Sequence, residues 1–179
     1  MKVILIGLRG TGKTVCGQLL AQRLGWAFFD TDEAIQERAG RSIRDIFAQD
    51  GEPGFRRLEA EVVRHAAKLD KAVVATGGGA VLDPANVAAL REGSFVVHLS
   101  AGPEELARRI LADPASAAQR PPLVKGAGEP VDEMRRLLLS RAAAYRAARD
   151  AEVVVEGRTP EQVAGAILVL MRARSLPLS

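Results

Sequence analysis

Short apolar runs alternate with helical patterns along the chain. Five runs rich in β-branched or aromatic residues have the length of buried strands, at residues 3–6, 27–29, 72–75, 95–99 and 153–155. Strands that alternate with helices are typical of a mostly parallel sheet with helices on both faces. Ligands of such α/β folds bind at the carboxyl ends of the strands, so we expect the functional residues there.

Helices are indicated by apolar side chains spaced three or four residues apart. One face of the first helix carries Cys16, Leu19, Leu20 and Leu24, and one face of the last carries Val163, Ile167, Leu170 and Met171. The last helix begins with an N-cap threonine, a first-turn proline and a capping-box glutamine, which are Thr159, Pro160 and Gln162. Further helix starts are predicted at Asp83-Pro84 and Gly102-Pro103.

Two segments interrupt the alternation of strands and helices. Residues 31–68 contain several helical patterns before the next strand, which predicts an inserted helical region. Residues 112–128 are rich in proline, glycine and alanine without periodicity, which is typical of a mobile lid. With no linker or repeat between these segments, we expect residues 1–179 to form a single domain.

Composition excludes several classes of protein. The chain has 179 residues, 47% of them hydrophobic, and a net charge of +3, which is too slight to indicate a nucleic acid or an anionic membrane as partner. A single cysteine, Cys16, excludes an internal disulfide and a multi-cysteine zinc site, and His65 and His98 alone do not make a metal site. No apolar segment has the length of a membrane span. We therefore expect a cytoplasmic protein that binds small molecules.

The sequence GLRGTGKT at residues 7–14 matches the phosphate-binding P-loop motif between a strand and a helix. Its glycines let successive backbone N–H groups face one anion at a helix N-terminus. Lys13 adds a positive charge near the β- and γ-phosphates, and the Thr14 hydroxyl is a ligand for Mg²⁺. Arg9 occupies a variable position of the motif and is assigned no role, and Cys16 is interpreted as a small buried residue.

The motifs of a GTPase switch, DxxG and [NT]KxD, do not occur in the sequence. This favours a small phosphotransferase, and the sequence FFDTD at residues 28–32 offers two carboxylates for it. In an extended chain Asp30 and Asp32 point to the same side, where Asp30 would hold the metal's water shell and Asp32 would bind an acceptor hydroxyl. The alternative is that Asp30 and Thr31 cap the following helix.

The chain resembles the shikimate kinase family over nearly its whole length. The shared motifs are the P-loop, FFDTD, GRSIRDIFAQDGEPGFRRLE at residues 40–59, TGGGAV at 76–81, QRPPL at 119–123 and RAAAYR at 141–146. The P-loop alone is common to many enzymes, whereas the DTD, GExxFRxxE and GGG motifs in this order are much more specific. The segment between residue 109 and Arg120 is longer than the family pattern.

The resemblance implies a three-layer α/β/α fold of the nucleoside monophosphate kinase type, with a five-stranded parallel sheet. It implies transfer of the ATP γ-phosphate to the 3-hydroxyl of shikimate, with Mg²⁺ as cofactor, by a monomer. The implied nucleotide-binding residues are Gly10, Thr11, Gly12, Lys13, Thr14, Arg109, Arg120 and Pro160, with Arg109 and Pro160 at the adenine and Thr14 and Asp30 at the metal. The implied shikimate-binding residues are Asp32, Arg56, Gly77, Gly78, Gly79 and Arg141, and the catalytic residues are Lys13, Asp32 and Arg120.

The sequence leaves open the interpretation of two residues and the exact function. Arg56 lies three residues before Glu59, a spacing that favours an ordinary ion pair, although Glu59 would also orient Arg56 toward a ligand. Tyr145 either packs beneath the Arg141 guanidinium or belongs to the core. The rival functions are a gluconate or nucleoside monophosphate kinase, which shares the fold, and a non-catalytic nucleotide-binding regulator.

Overall fold

A computed structural model describes residues 1–113 and 129–176. The strands are β1 (Lys2–Ile6), β2 (Ala27–Asp30), β3 (Ala72–Ala75), β4 (Ser94–Ser100) and β5 (Ala151–Val154). They form one parallel sheet in the order β2-β3-β1-β4-β5. The helices are α1 (Lys13–Leu24), α2 (Thr31–Ala39), α3 (Ile43–Ala66), α4 (Pro84–Arg91), α5 (Pro103–Leu111), α6 (Pro130–Ala148) and α7 (Pro160–Ala173).

The predicted α/β/α architecture and all five predicted strands are confirmed. The central strand β1 is buried on both faces, since Val3, Ile4 and Leu5 have no exposed surface, and this is why it reads as a continuous apolar run. Strand β5 spans Ala151–Val154, whereas its apolar run is at residues 153–155. The pairing of β5 with β4 sets these bounds. Val155 lies just beyond the strand, and its N–H still donates to the Ser100 carbonyl at 2.8 Å.

Three glycines in the turn from β1 into α1, Gly7, Gly10 and Gly12, have positive φ angles. Gly7 has a φ of +145°, and a Cβ there would collide with the Leu99 carbonyl oxygen. Gly12 is the N-cap of α1 and has a φ of 81°, in the left-handed region that other residues rarely adopt. The chain therefore turns tightly enough to direct the N-terminus of α1 at the carboxyl edge of the sheet.

The region predicted to be helical over residues 31–68 contains α2 and α3. Asp30 is the N-cap of α2, and its side chain accepts a hydrogen bond from the Asp32 N–H. The capping interpretation of Asp30 is thus correct, and the prediction that Asp32 lies in an extended segment is wrong, because the cap starts the helix at Thr31. Helix α3 is kinked at Gly51, which has a non-helical φ of 67°. A small core of its own, centred on Ile35, Ile46 and Phe55, joins α2 to α3.

The predicted helix starts are confirmed as well. Thr159 and Gln162 form a complete capping box at the start of α7 with Pro160 in its first turn, and the Asp83 side chain caps α4. Cys16 is buried, as expected for a small core residue. Within residues 1–113 and 129–176, no helix is long and apolar enough to cross a membrane. Most of the predicted lid, residues 114–128, lies outside the described residues.

Candidate active site

The carboxyl ends of β2, β3 and β1 lie side by side and bring three sequence motifs together. β1 leads into the P-loop, β2 ends at Asp30, and β3 leads into Gly77, Gly78 and Gly79. Two cavities open at this edge. The P-loop cavity is lined by Arg9, Gly10, Gly12, Lys13, Thr14, Val15, Asp30, Asp32, Glu33, Gln36, Ile43, Thr76, Gly78, Arg109, Ile110 and Asp113. The inner cavity is lined by Leu8, Arg9, Ile43, Phe47, Phe55, Arg56, Glu59, Gly77, Gly78, Gly79, Leu137 and Arg141.

The P-loop is braced by its own side chains. Lys13 Nζ donates to the carbonyl oxygens of Gly7 and Leu8, each at 2.9 Å, so the ammonium lies over the loop and beside the P-loop cavity. The buried Thr11 hydroxyl donates to the Leu8 carbonyl at 2.8 Å and does not line the cavity. Backbone N–H groups at the start of α1 and the Lys13 charge make this cavity suited to an anion.

Thr14 and Asp30 meet in the P-loop cavity. The Thr14 hydroxyl donates to Asp30 Oδ2 at 2.8 Å, while Asp30 Oδ1 accepts from the Asp32 N–H at 2.9 Å. The Asp30 carboxylate therefore both caps α2 and holds the Thr14 side chain. A hydroxyl and a carboxylate are the hard oxygen groups that Mg²⁺ prefers, so this pair fits a magnesium ion.

Each glycine of the 77–79 loop faces a different polar side chain. A Cβ on Gly77 would lie 2.9 Å from Asp32 Oδ1, and one on Gly78 would lie 3.5 Å from Arg141 Nη1. A Cβ on Gly79 would lie 2.5 Å from Arg56 Nη1. The absence of side chains in this loop is what allows Asp32, Arg56 and Arg141 to converge on it from three different helices.

Arg56 and Glu59 form the expected ion pair, with Arg56 Nη1 donating to Glu59 Oε2 at 2.6 Å. Glu52 also accepts from Arg56 at 3.1 Å. The Glu59 side chain is only 1% exposed, and this burial raises the pKa of its carboxyl even though the Arg56 guanidinium opposes the rise. Glu59 thus fixes Arg56 against the inner cavity, while the Arg56 side chain remains 28% exposed and accessible to a ligand.

Arg141 and Tyr145 both donate to the same backbone oxygen. Arg141 Nη1 lies 2.9 Å and the Tyr145 hydroxyl 2.6 Å from the Gly78 carbonyl oxygen. Burial raises the pKa of Tyr145 to about 12, so its hydroxyl stays protonated and keeps this bond. Tyr145 thus belongs to the core, which is one of its two interpretations, and its hydroxyl stabilises the glycine loop through this hydrogen bond.

His98 on β4 packs against the Tyr145 ring. The two rings stack with centroids 4.5 Å apart. Burial lowers the pKa of His98 to about 4 from 6.5, with Glu152 opposing the shift and Arg149 and Lys13 adding to it. Folded chains therefore keep His98 neutral at a pH where unfolded chains protonate it.

Stability should accordingly fall as the pH drops from 6.5 to 4. In this window the unfolded state binds one more proton at His98 than the folded state, which costs up to about 3 kcal/mol. Urea denaturation at pH 7 and pH 4.5 measures the difference in unfolding free energy. We expect His98→Gln to reduce this difference, and an unchanged difference would show that His98 does not carry it.

Of the two residues implied to lie at the adenine, Arg109 lines a cavity and Pro160 does not. Arg109 lines the P-loop cavity and is held by Glu105 at 2.6 Å and by the Val155 carbonyl at 3.2 Å. Pro160 begins α7 and is not among the residues that line either cavity. Arg120 lies outside the described residues.

Three features of the site escaped sequence reasoning. Arg9, which received no role, lines both cavities and pairs with Glu133 on α6 at 2.9 Å. The buried Thr31 hydroxyl accepts from the Gly77 N–H at 3.0 Å and so ties α2 to the glycine loop. The partners in these two contacts are 124 and 46 residues apart in the sequence, so no local pattern indicates them. The third feature is an apolar wall of the inner cavity, which consists of Leu8, Ile43, Phe47, Phe55 and Leu137.

Comparison with known proteins identifies the family. The family model described as shikimate kinase matches residues 9–172. The chain is 43% identical over 174 residues to the shikimate kinase of Symbiobacterium thermophilum, covering 97% of this chain and 98% of that protein. It is 45% identical over 173 residues to that of Oleidesulfovibrio alaskensis, covering 96% and 98%. The structure of Acinetobacter baumannii shikimate kinase in complex with shikimate superimposes with a TM-score of 0.89 at 31% identity, covering 98% and 95%. The chain belongs to the shikimate kinase family.

Proposed function

We propose that the two cavities are the two substrate sites of an ATP-dependent shikimate kinase, which transfers the γ-phosphate of ATP to the 3-hydroxyl of shikimate. In this proposal the P-loop cavity binds the nucleotide phosphates and the inner cavity binds shikimate. The observation that carries it is the convergence of Asp32, Arg56 and Arg141 on three side-chain-free residues beside a P-loop.

The chemistry of the inner cavity suits shikimate. Its apolar wall matches the face of a carbon ring, and Arg56 and Arg141 provide planar guanidinium groups that bind a carboxylate through paired hydrogen bonds. Asp32 lines the P-loop cavity and approaches Gly77 of the inner one, so its carboxylate stands at the border between them. At this border we propose that Asp32 aligns the acceptor hydroxyl and takes its proton late in the transfer.

The P-loop side positions the phosphates and neutralises their charge, which accounts for most catalysis of phosphoryl transfer. We assign this role to Lys13, to the backbone N–H groups of residues 10–14 and, from the sequence alone, to Arg120. Thr14 and Asp30 would hold Mg²⁺, which when bound offsets the negative charge of the phosphates. A magnesium ion held mainly by phosphate and water needs few ligands from the protein.

Replacing Thr14 with valine tests the magnesium assignment. Valine keeps the shape of the side chain and removes the hydroxyl that lies 2.8 Å from Asp30. We expect the Mg²⁺ concentration that gives half-maximal activity to rise about tenfold. Titration of Mg²⁺ at saturating shikimate measures it, and an unchanged requirement would exclude Thr14 as a ligand.

Replacing Gly79 with alanine tests the shikimate assignment. The new Cβ would lie 2.5 Å from Arg56 Nη1, so the flexible end of Arg56 must move, while the backbone φ of −102° at residue 79 suits alanine. We therefore expect the KM for shikimate to rise about tenfold with little change in Tm. Steady-state kinetics and thermal unfolding measure the two effects.

Gly165 on α7 offers the matched control. A Cβ there meets nothing closer than Arg23 Nη1 at 3.7 Å, so Gly165→Ala should leave KM unchanged. If Gly79→Ala also leaves the KM for shikimate unchanged, the position of Arg56 does not matter for binding.

An assay of acceptor choice tests the function as a whole. ADP release is measured with shikimate, gluconate and nucleoside monophosphates in parallel, and ³¹P NMR identifies which hydroxyl is phosphorylated. We expect ADP release with shikimate and a phosphate on its 3-hydroxyl. Activity with gluconate or a nucleotide alone would favour a related kinase, and inactivity with every acceptor would favour a nucleotide-binding regulator.

A further inference from the structure

Arg9 lies at the border between the two cavities. It follows β1 within the P-loop, and it shares with Ile43 and Gly78 the property of lining both cavities. Its side chain is only 12% exposed, which is unusual for an arginine. Arg56 and Arg141, in contrast, line the inner cavity and not the P-loop cavity. Among the arginines that the structure describes, Arg9 is thus the one at the border that a group passing from one cavity to the other must cross.

The hydrogen-bonding capacity of Arg9 is only partly used. Nη2 donates to Glu133 Oε2 at 2.9 Å, and Nε is buried with no hydrogen-bond partner among the described residues. A guanidinium carries five N–H donors, and buried donors are normally paired. An arginine that lines two cavities and gives only one edge to its carboxylate partner has N–H donors left for the oxygen atoms of a ligand.

Glu133 explains why Arg9 is stable in this position. The Glu133 side chain is 8% exposed and belongs to the first turn of α6, so the pair joins the P-loop to that helix. The carboxylate balances the charge of Arg9 and holds one edge of the guanidinium. The rest of the guanidinium is thereby kept in a fixed orientation, ready for an anion.

We propose that Arg9 binds the transferred phosphoryl group on the acceptor side, where it becomes the phosphate of shikimate 3-phosphate. This inference rests on the proposed function, because it presupposes that shikimate occupies the inner cavity. Arg56 and Arg141 line only the inner cavity and, in the proposed function, bind the carboxylate, which shikimate and its phosphate share. Arg9 therefore distinguishes the product from the substrate.

The test compares the affinity of both ligands for the same variants. Isothermal titration calorimetry with shikimate and with shikimate 3-phosphate is carried out on the unmodified protein and on Arg9→Gln. We expect the Kd for shikimate 3-phosphate to rise at least about tenfold and the Kd for shikimate to change less than about twofold. Arg57→Gln on α3 is the control, because Arg57 is exposed and lines neither cavity, and it should change neither Kd.

A second variant separates the loss of Arg9 from the destabilisation caused by breaking its ion pair. Arg9→Gln removes the guanidinium that lies 2.9 Å from the buried Glu133 carboxylate, whereas the double variant Arg9→Gln/Glu133→Gln removes both charges of this pair. The same selective loss of shikimate 3-phosphate binding is expected from it. Equal losses for both ligands, or no loss for either, would overturn the inference while the unmodified protein still binds shikimate. Failure of the unmodified protein to bind either ligand would instead overturn the proposed function, and the inference with it.

Discussion

Replacing Lys13 with methionine is expected to lower kcat for shikimate phosphorylation by about a thousandfold. Lys13 is the lysine of the P-loop, and its Nζ lies within hydrogen-bonding distance of the loop carbonyls beside the P-loop cavity. In a loose phosphoryl-transfer transition state, charge spreads over the γ-phosphate oxygens, and a fixed ammonium stabilises it more strongly than it stabilises bound ATP. Methionine preserves the length of the side chain and removes the charge.

The fold of the Lys13→Met variant should remain intact, because the lost hydrogen bonds are worth only about 1 kcal/mol each. Steady-state kinetics gives kcat, and thermal unfolding verifies the fold. Lys68→Met is the matched control, since Lys68 is exposed and lines neither cavity, and it should keep full activity. A Lys13→Met enzyme that retains more than about a tenth of the activity would show that the ammonium is not part of the transfer.

Asp32→Asn should give the second largest effect, a loss of about a hundredfold or more in kcat. The amide has the size of the carboxylate, so the approach of residue 32 to Gly77 is retained. It cannot take the proton of the acceptor hydroxyl, and it presents an N–H group where an acceptor is needed. We therefore expect the KM for shikimate to change less than kcat.

Glu37→Gln provides the comparison for Asp32→Asn. Glu37 lies on the same helix, α2, is exposed and lines neither cavity, so its neutralisation tests the general effect of removing one negative charge from α2. Activity of Glu37→Gln should equal that of the unmodified protein. A kcat for Asp32→Asn within about threefold of normal would exclude Asp32 from proton transfer.

The sequence predicts the parts of this molecule that are encoded locally. Strand β1 is recognisable as an apolar run, and the turn after it as a P-loop, because backbone conformation and burial at each position constrain the residue type there. The capping box of α7 is equally local, with its partners three residues apart. The convergence of Asp32 with the glycine loop was suggested by family resemblance, and the structure adds how the loop accommodates the side chains.

Contacts between distant segments were not predictable in the same way. The Arg9–Glu133 pair joins residues 124 apart, and nothing near either residue indicates the other. The wrong prediction of an extended backbone at Asp32 has a local cause. Residues 28–32 were expected to form one extended segment, whereas the Asp30 side chain caps α2 and so ends the strand at residue 30. The capping alternative predicts the correct backbone, and the hydrogen bond from Thr14 to Asp30 shows that Asp30 caps α2 and contributes to the site at the same time.

A crystal structure of the protein with ADP and shikimate would show whether the two cavities are the two substrate sites. We expect the shikimate carboxylate against Arg56 and Arg141, its ring over the 77–79 loop, and its 3-hydroxyl at Asp32 facing the P-loop. Shikimate bound away from Asp32 and from both arginines would exclude the inner cavity as its site.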